Sequence, residues 1–458
     1  MSDEGRVLAQ ASVAVSPRSA AGGAVEQDPE ELLESVIAAG TRALGQAGAE
    51  VGAVGLANQG ETVLRWDRRS GRPYGPALSW QDRRAVSVTA ELAGRAEELA
   101  AVTGLPLDPY FAAPKMTWLR RTEGPEGVVT TIDAWLNWRL AGAFVTDAAT
   151  ASRTLLLDLR ETSWSPAACD AFGLDPTLQP EVVDCAGQVG ETTAFGPPLP
   201  LCGLAVDQQA ALLAQSCFAA GEAKCTYGTG AFILANAGER PPVSDSGLAA
   251  CVAWRLQGGT AYCLDGQVHS AGSAVQWLAR LGLIGGPAEL DRAAGEGGDP
   301  GVVFVPALAG LGAPFWAPEA RGAWLGLSLA SDRGDLALAL VRGIAAQVSC
   351  LAEAIGRDTG VAPERLRVDG GLTRSAALMQ AQADLLQAPV ECYPTPDATA
   401  HGVAALARLG AGAASTPEQA VGTWSPSAVY EPAMAAHEAH ERLERWRAAA
   451  ATVVQLGG

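Results

Sequence analysis

Short apolar runs alternate along this chain with segments of helical periodicity, and that alternation restricts the fold more than any other feature. VGAVGLAN (51–58) is apolar on both faces, as a strand buried in a parallel sheet would be. RVLAQASVAV (6–15) places Val7, Ala9, Ala11, Val13 and Val15 on one face and predicts a half-buried strand. ETVLRWD (61–67), LRVDGG (366–371) and VECY (390–393) read as further strands, and KCTYGTGAFILAN (224–236) as a strand pair around a glycine turn. Between them, helical spacing runs through 30–48, 85–101, 114–140, 271–283, 373–387 and 400–410. The longest helical pattern, 335–356, carries Leu336, Leu340, Ile344, Val348 and Leu351 on one stripe. Interleaved strands and helices predict an α/β architecture. At 458 residues, 48% of them apolar, the chain can build a large core. A weak boundary signal falls at 217–223, where one α/β unit ends and a strand pair begins.

Charge narrows the partners. With 32 basic and 50 acidic residues the net charge is −18, which argues against nucleic acid and anionic membranes, since both select positive surfaces. A small anion cradled by backbone N–H groups remains compatible. No apolar run of about 18 residues without charge suggests a membrane span, and MSDEGRVLAQ lacks the basic start and apolar block of a signal peptide. Nine scattered cysteines without a C-x-x-C pair fit reduced thiols in the cytoplasm. His437 and His440 are three apart with no third ligand near, so they read as a solvated helix face rather than a metal site.

Three glycine turns fall where strands end: Gly228-Thr229-Gly230, Gly370-Gly371 and Gly310-Leu311-Gly312. Glycine lets a backbone approach a phosphate closely, and Thr229, Thr373 and Ser375 add hydroxyls. No P-loop and no G-x-G-x-x-G follows a strand, so a nucleotide site here is of another type. Asp207, in LCGLAVDQQAAL, sits between an apolar strand and a helix. It is either a rigid ligand-facing carboxylate at a strand's C-terminal edge or an N-cap. Glu61, after Asn58-Gln59-Gly60, poses the same choice. Trp80, Asp82 and Tyr110 can line a polyhydroxylated ligand or belong to core and surface.

Longer strings carry a resemblance. NQGETVLRWDRRSGRPYGPALSWQDRR (58–84), DPYFAAPKMTW (108–118), TDAATASRTLLLDL (146–159) and GLAVDQQAAL (203–212) resemble the FGGY family of carbohydrate kinases, in its glycerol kinase branch. So do TYGTGAFILANAGE (226–239), PALAGLGAPFWAPEARGAWLGL (306–327) and LRVDGGLTRSAALMQAQADLL (366–386). The resemblance implies two actin-like (ribonuclease H-like) domains around a catalytic cleft, a substrate-binding one at 1–216 and an ATP-binding one at 217–458. Asp207 matches the catalytic base. Glu61, Trp80, Tyr110, Asp207, Gln208 and Phe232 match substrate contacts; Gly228 and Thr229 match the phosphate loop. Gly272 and Gln276 match positions near the phosphates and ribose, and Gly371 with Ser375 the adenine end, where glycerol kinases usually carry Asn at the Ser375 position.

The implied reaction is ATP-dependent phosphorylation of a terminal hydroxyl, with Mg²⁺ on the phosphates and glycerol as the first expected substrate. No metal ligand is assigned, and a homodimer or homotetramer is expected. Three departures stand out. Gly60 replaces an Arg of the glycerol kinase pattern, which opens the pocket toward four- or five-carbon polyols and ketoses. Ala112 stands where Ser, Thr or Pro is usual. The family's opening hairpin of D-x-G-T type is absent, and residues 4–12 resemble the strand that follows it. The expectation is a natural start further upstream, against the alternative of a truncated, non-catalytic relative.

Overall fold

In the first half, Val54–Asn58 runs parallel to Leu199–Val206, with Leu56 opposite Leu204, and Leu199–Val206 pairs antiparallel with Ala186–Thr192. The computed structural model describes residues 1–2, 5–298, 301–395 and 397–457. Helix Ala398–Gly410 lies across this sheet so closely that Cβ atoms at Gly55 and Gly203 would meet its backbone at 2.4 and 2.5 Å. Gly402 on the helix likewise faces the Ala210 carbonyl oxygen, 1.8 Å from where a Cβ would stand. A five-stranded sheet orders Arg18–Ala20, Ala24–Gln27, Ala77–Leu78, Val63–Trp66 and Val128–Thr131.

The second half is built on seven strands in the order Ala249–Leu256, Gly259–Val268, Ala231–Gly238, Ala223–Tyr227, Leu366–Asp369, Val390–Cys392, Ala428–Tyr430. Ala223–Tyr227 and Leu366–Asp369 are parallel, Thr226 opposite Asp369. Helix Arg333–Thr359 packs against the neighbouring strands Ala231–Gly238 and Gly259–Val268. Its start is fixed by a reciprocal capping box: Asp332 accepts the N–H groups of Gly334 and Asp335, and Asp335 accepts that of Asp332. This helix is apolar and long enough to cross a membrane, yet 83% of its most apolar window is buried, as in a core helix.

The strand expected at 6–15 is not formed, and Glu4, the start of the segment likened to a family strand, lies outside the described residues. Residues 6–15 join no β-ladder among the described residues, and their bonds run instead to Ser2 and Asp397. Its alternation survives in part: Ala9, Ala11, Val13 and Val15 are half-buried, while Val7 is 44% exposed. The helical pattern at 85–101 splits into Val86–Glu91 and Ala96–Thr103 around Gly94, and 114–140 is divided by the strand Val128–Thr131. The strands Ala249–Leu256 and Gly259–Val268 and the helix Ala436–Gly457 are additions to the sequence reading; His437 and His440 are exposed on that helix. All nine cysteines are free and buried. Burial raises every thiol pKa, which makes them poor nucleophiles.

Two glycine-to-alanine substitutions separate close packing from helix propensity. Gly402→Ala drives a methyl into the Ala210 carbonyl and lowers the thermal midpoint, an overpacking cost of about 1–3 kcal/mol or more. Gly45→Ala, in helix Pro29–Ala47 with nothing within 4 Å of its Cβ, raises it slightly, by about 0.5 kcal/mol. Thermal melts of the two variants check both signs.

Candidate active site

Two carboxylates leave the C-terminal ends of the parallel strands of the first half, where α/β sheets present ligand-binding groups. After Val54–Asn58 the chain turns through Gln59 and Gly60, and Glu61 adopts φ 55°, the left-handed region that non-glycine residues rarely occupy. Leu199–Val206 ends at Asp207, the first residue of helix Asp207–Ala214. The capping position belongs to Val206, and no side chain caps this helix. Asp207 instead accepts the N–H of Gln208 at 2.8 Å and lies 3.3 Å from its Nε2 donor, with its carboxylate facing the cleft. Burial raises its pKa, opposed first by Lys224.

The structure brings Glu61, Trp80, Tyr110, Asp207, Gln208 and Phe232 to one cleft of about 180 Å³, with Gly228 and Thr229 at its other wall. The rings form an edge-to-face corner: Trp80 meets Tyr110 at 5.9 Å and Phe232 at 5.6 Å between centroids. The Tyr110 loop is pinned by Lys115, fully buried, whose Nζ donates to the carbonyls of Pro109, Tyr110 and Phe111. Burial pulls that ammonium down to about 7. Asp82 is not part of the cleft lining; it is fully buried, paired with Arg84 at 2.7 Å and accepting the Val25 N–H at 2.9 Å.

Sequence reading missed Arg153. It is 4% exposed and joins two carboxylates beneath the cleft, Glu61 at 2.5 Å and Asp265 at 2.7 Å, with its guanidinium 5.4 Å from the Phe111 ring centroid. Desolvation raises the pKa of Glu61, and Arg153 is the strongest opposing influence. The residue stands inside the string 146–159, but its partner Glu61 is 92 residues away. No local pattern announces such a pair.

On the opposite wall the Gly228–Gly230 turn is closed by the Gly228 N–H to Gly230 carbonyl bond at 2.8 Å and seated on helix Gly272–Arg280. Gly272 N–H donates to the Gly228 carbonyl at 3.0 Å, and a Cβ at Gly272 would sit 2.4 Å from that oxygen. Gly370 packs on Tyr227, so the two glycine turns lie side by side at the ends of adjacent parallel strands. Gln276 and Gly371 are exposed and Ser375 is buried, and none of the three lines the cleft around Asp207. Ser375 caps helix Ala376–Leu386 through the Leu378 N–H and donates its hydroxyl to Asp291. Gly312 packs against the Gln267 carbonyl, so the third glycine turn is a packing feature. Among the described residues no three His, Cys, Asp or Glu side chains gather as a metal cage.

The profiles of the FGGY family of carbohydrate kinases match this chain in two parts, the N-terminal domain at residues 1–214 and the C-terminal domain at 223–411, and the chain belongs to that family. It is a phosphotransferase with an alcohol group as acceptor and ATP as donor. It is 42% identical to the glycerol kinase of Thermus brockianus over 464 residues, 97% of this chain and 94% of that protein. The glycerol kinase of Alkalilimnicola ehrlichii is 42% identical over 446 residues, 93% of this chain and 90% of that one. Among solved structures, Plasmodium falciparum glycerol kinase with ADP aligns with a TM-score of 0.86 at 29% identity, covering 96% of this chain and 92% of its own. The fold is thus the two-domain, actin-like α/β fold of the sugar kinases.

Replacing Arg153 by Met leaves Glu61 and Asp265 buried without their cation and lowers stability by about 3–5 kcal/mol, which denaturant titration reads directly. A second test concerns pH. Burial and the neighbouring Asp147 push Asp133, itself 3% exposed, from 3.8 up to about 7. Its folded-state pKa is raised, so its stabilisation is complete in acid and is lost as pH rises toward about 7. Asp133→Asn stays neutral, so its thermal midpoint gains on wild type from acid to neutral pH. A pH-independent difference would contradict the assignment.

Proposed function

We propose that the protein transfers the γ-phosphoryl group of ATP to a terminal hydroxyl of glycerol, giving glycerol 3-phosphate and ADP. The observation that carries this reading is the single cleft in which Asp207 and an aromatic-walled polar pocket face the Gly228–Thr229 turn. The near-full-length likeness to glycerol kinases selects glycerol among small polyols.

In this reading Asp207 accepts the proton of the attacking hydroxyl and holds that oxygen in line with the γ-phosphorus. Glu61, kept in place by Arg153, accepts a second hydroxyl. Trp80, Tyr110 and Phe232 cover the carbon chain and exclude water, with Gln208 as a further polar contact. The Gly228–Thr229 backbone receives the phosphates, with Gly272 and Gln276 toward the ribose and Gly371 and Ser375 toward adenine. Magnesium arriving with ATP would neutralise the phosphate charge beside the Gly228–Thr229 turn; no residue of this chain is assigned to hold it. At Gly60 a Cβ would meet Val206 at 2.9 Å, too close for a side chain to be added without a shift of that valine, so the glycine adds no open space in this direction for a longer acceptor. Nine buried free thiols support a reducing compartment such as the cytoplasm.

ADP release measured across a panel of polyols and ketoses tests the reading. Glycerol is expected to give the highest kcat/KM, and Asp207→Asn to lower it by about 10²–10⁴-fold. Undiminished turnover in Asp207→Asn would overturn the role of the base, and a better acceptor would rename the substrate. Gly272→Ala displaces the phosphate turn and is expected to raise KM for ATP while leaving KM for glycerol near wild type.

A further inference from the structure

A second buried lysine stands behind the cleft. Lys224, on strand Ala223–Tyr227, is fully buried, unlike the exposed or salt-bridged cations that make up most of the surface. Its Nζ donates to Gln208 Oε1 at 2.5 Å and to Thr226 Oγ1 at 3.0 Å. Each acceptor is itself bound to a carboxylate. Gln208 Nε2 donates to Asp207 Oδ2 at 3.3 Å, and Thr226 donates to Asp369 Oδ1 at 2.5 Å. The network runs unbroken from the helix that opens with Asp207, in the first half, to the ends of two parallel strands in the second.

We propose that Lys224 is a positioning residue of the phosphoryl-transfer centre, holding Asp207 and Asp369 in fixed places through Gln208 and Thr226. This rests on the reading of Asp207 as the base. An ammonium that served packing alone would take backbone carbonyls, as Lys115 does. Lys224 takes two side chains, one leading to the half-buried Asp207 at the cleft and the other to the buried Asp369. Burial raises the pKa of both Asp207 and Asp369, and in each the leading influence that opposes it is Lys224. The other charged groups facing these carboxylates are Arg153 at Asp207 and Asp397 at Asp369, and the neutral phenol of Tyr110 also faces Asp207. Glu61 and Asp265 line the same cleft, already tied to Arg153.

The test is the pH dependence of kcat for glycerol phosphorylation in the full chain, comparing wild type, Lys224→Met, Lys224→Arg and Asp207→Asn. Lys224→Met is expected to move the acidic limb up by about one unit or more, with activity recovering as pH rises. Lys224→Arg keeps the charge and is expected to leave the limb within a few tenths of a unit of wild type while lowering kcat. A folded Lys224→Met whose kcat falls equally at every pH would overturn the proposal. Should Lys224→Met not fold, as judged by circular dichroism, Gln208→Leu cuts the relay to Asp207 and is expected to raise the limb as well; an unmoved limb there also overturns it. Asp207→Asn separates the two readings, because full activity in that variant removes the base itself, whatever Lys224 does.

Discussion

The pocket depends on one buried cation. Arg153 lies between Glu61, from the first half of the chain, and Asp265, from the second, at ion-pair distance to each. Without it, two carboxylates would sit desolvated under the cleft, a cost that no apolar packing nearby would offset. With it, Glu61 can be held in a left-handed backbone conformation at the mouth of a strand and keep an oxygen for a ligand hydroxyl. The same guanidinium faces the rings of Tyr110 and Phe111, so it also sets the aromatic wall. Its demand for two partners ties the halves of the molecule together beneath the candidate cleft.

The glycine positions express a related constraint. Gly55 and Gly203 let helix Ala398–Gly410, from the far end of the chain, lie directly on the first sheet. Gly272 lets a helix N-terminus reach the backbone of the Gly228–Gly230 turn. Close approach of backbone to backbone sets the separation of the two walls of the cleft. Small side chains at these places therefore serve geometry rather than flexibility.

Much of this was legible in the sequence. Runs such as VGAVGLAN and LRVDGG, and the long stripe from Leu336 to Leu351, fixed the main strands and the core helix because their periodicity is local. Asp207 was visible as a carboxylate at a strand end, though composition alone left it undecided between cap and ligand; the helix start at Val206 decides against the cap. Arg153 and Lys224 were not legible. Their meaning lies in partners up to 112 residues distant for Arg153 and 16 for Lys224, and the strand pattern that holds Lys224 says nothing of those partners. The strand expected at 6–15 failed for a tertiary reason, since alternation describes a face but supplies no neighbouring strand to pair with. The resemblance carried Gln276, Gly371 and Ser375 to the nucleotide, and their places on the second half, away from the substrate cleft, are compatible with such a role.

Phosphorus NMR of the protein incubated with ATP, Mg²⁺ and glycerol tests the central claim most directly, because it follows where the γ-phosphorus goes. The account predicts a glycerol 3-phosphate resonance growing in step with ADP, with little orthophosphate while glycerol remains. Orthophosphate as the main product, or ATP left intact at saturating glycerol in folded protein, would contradict it.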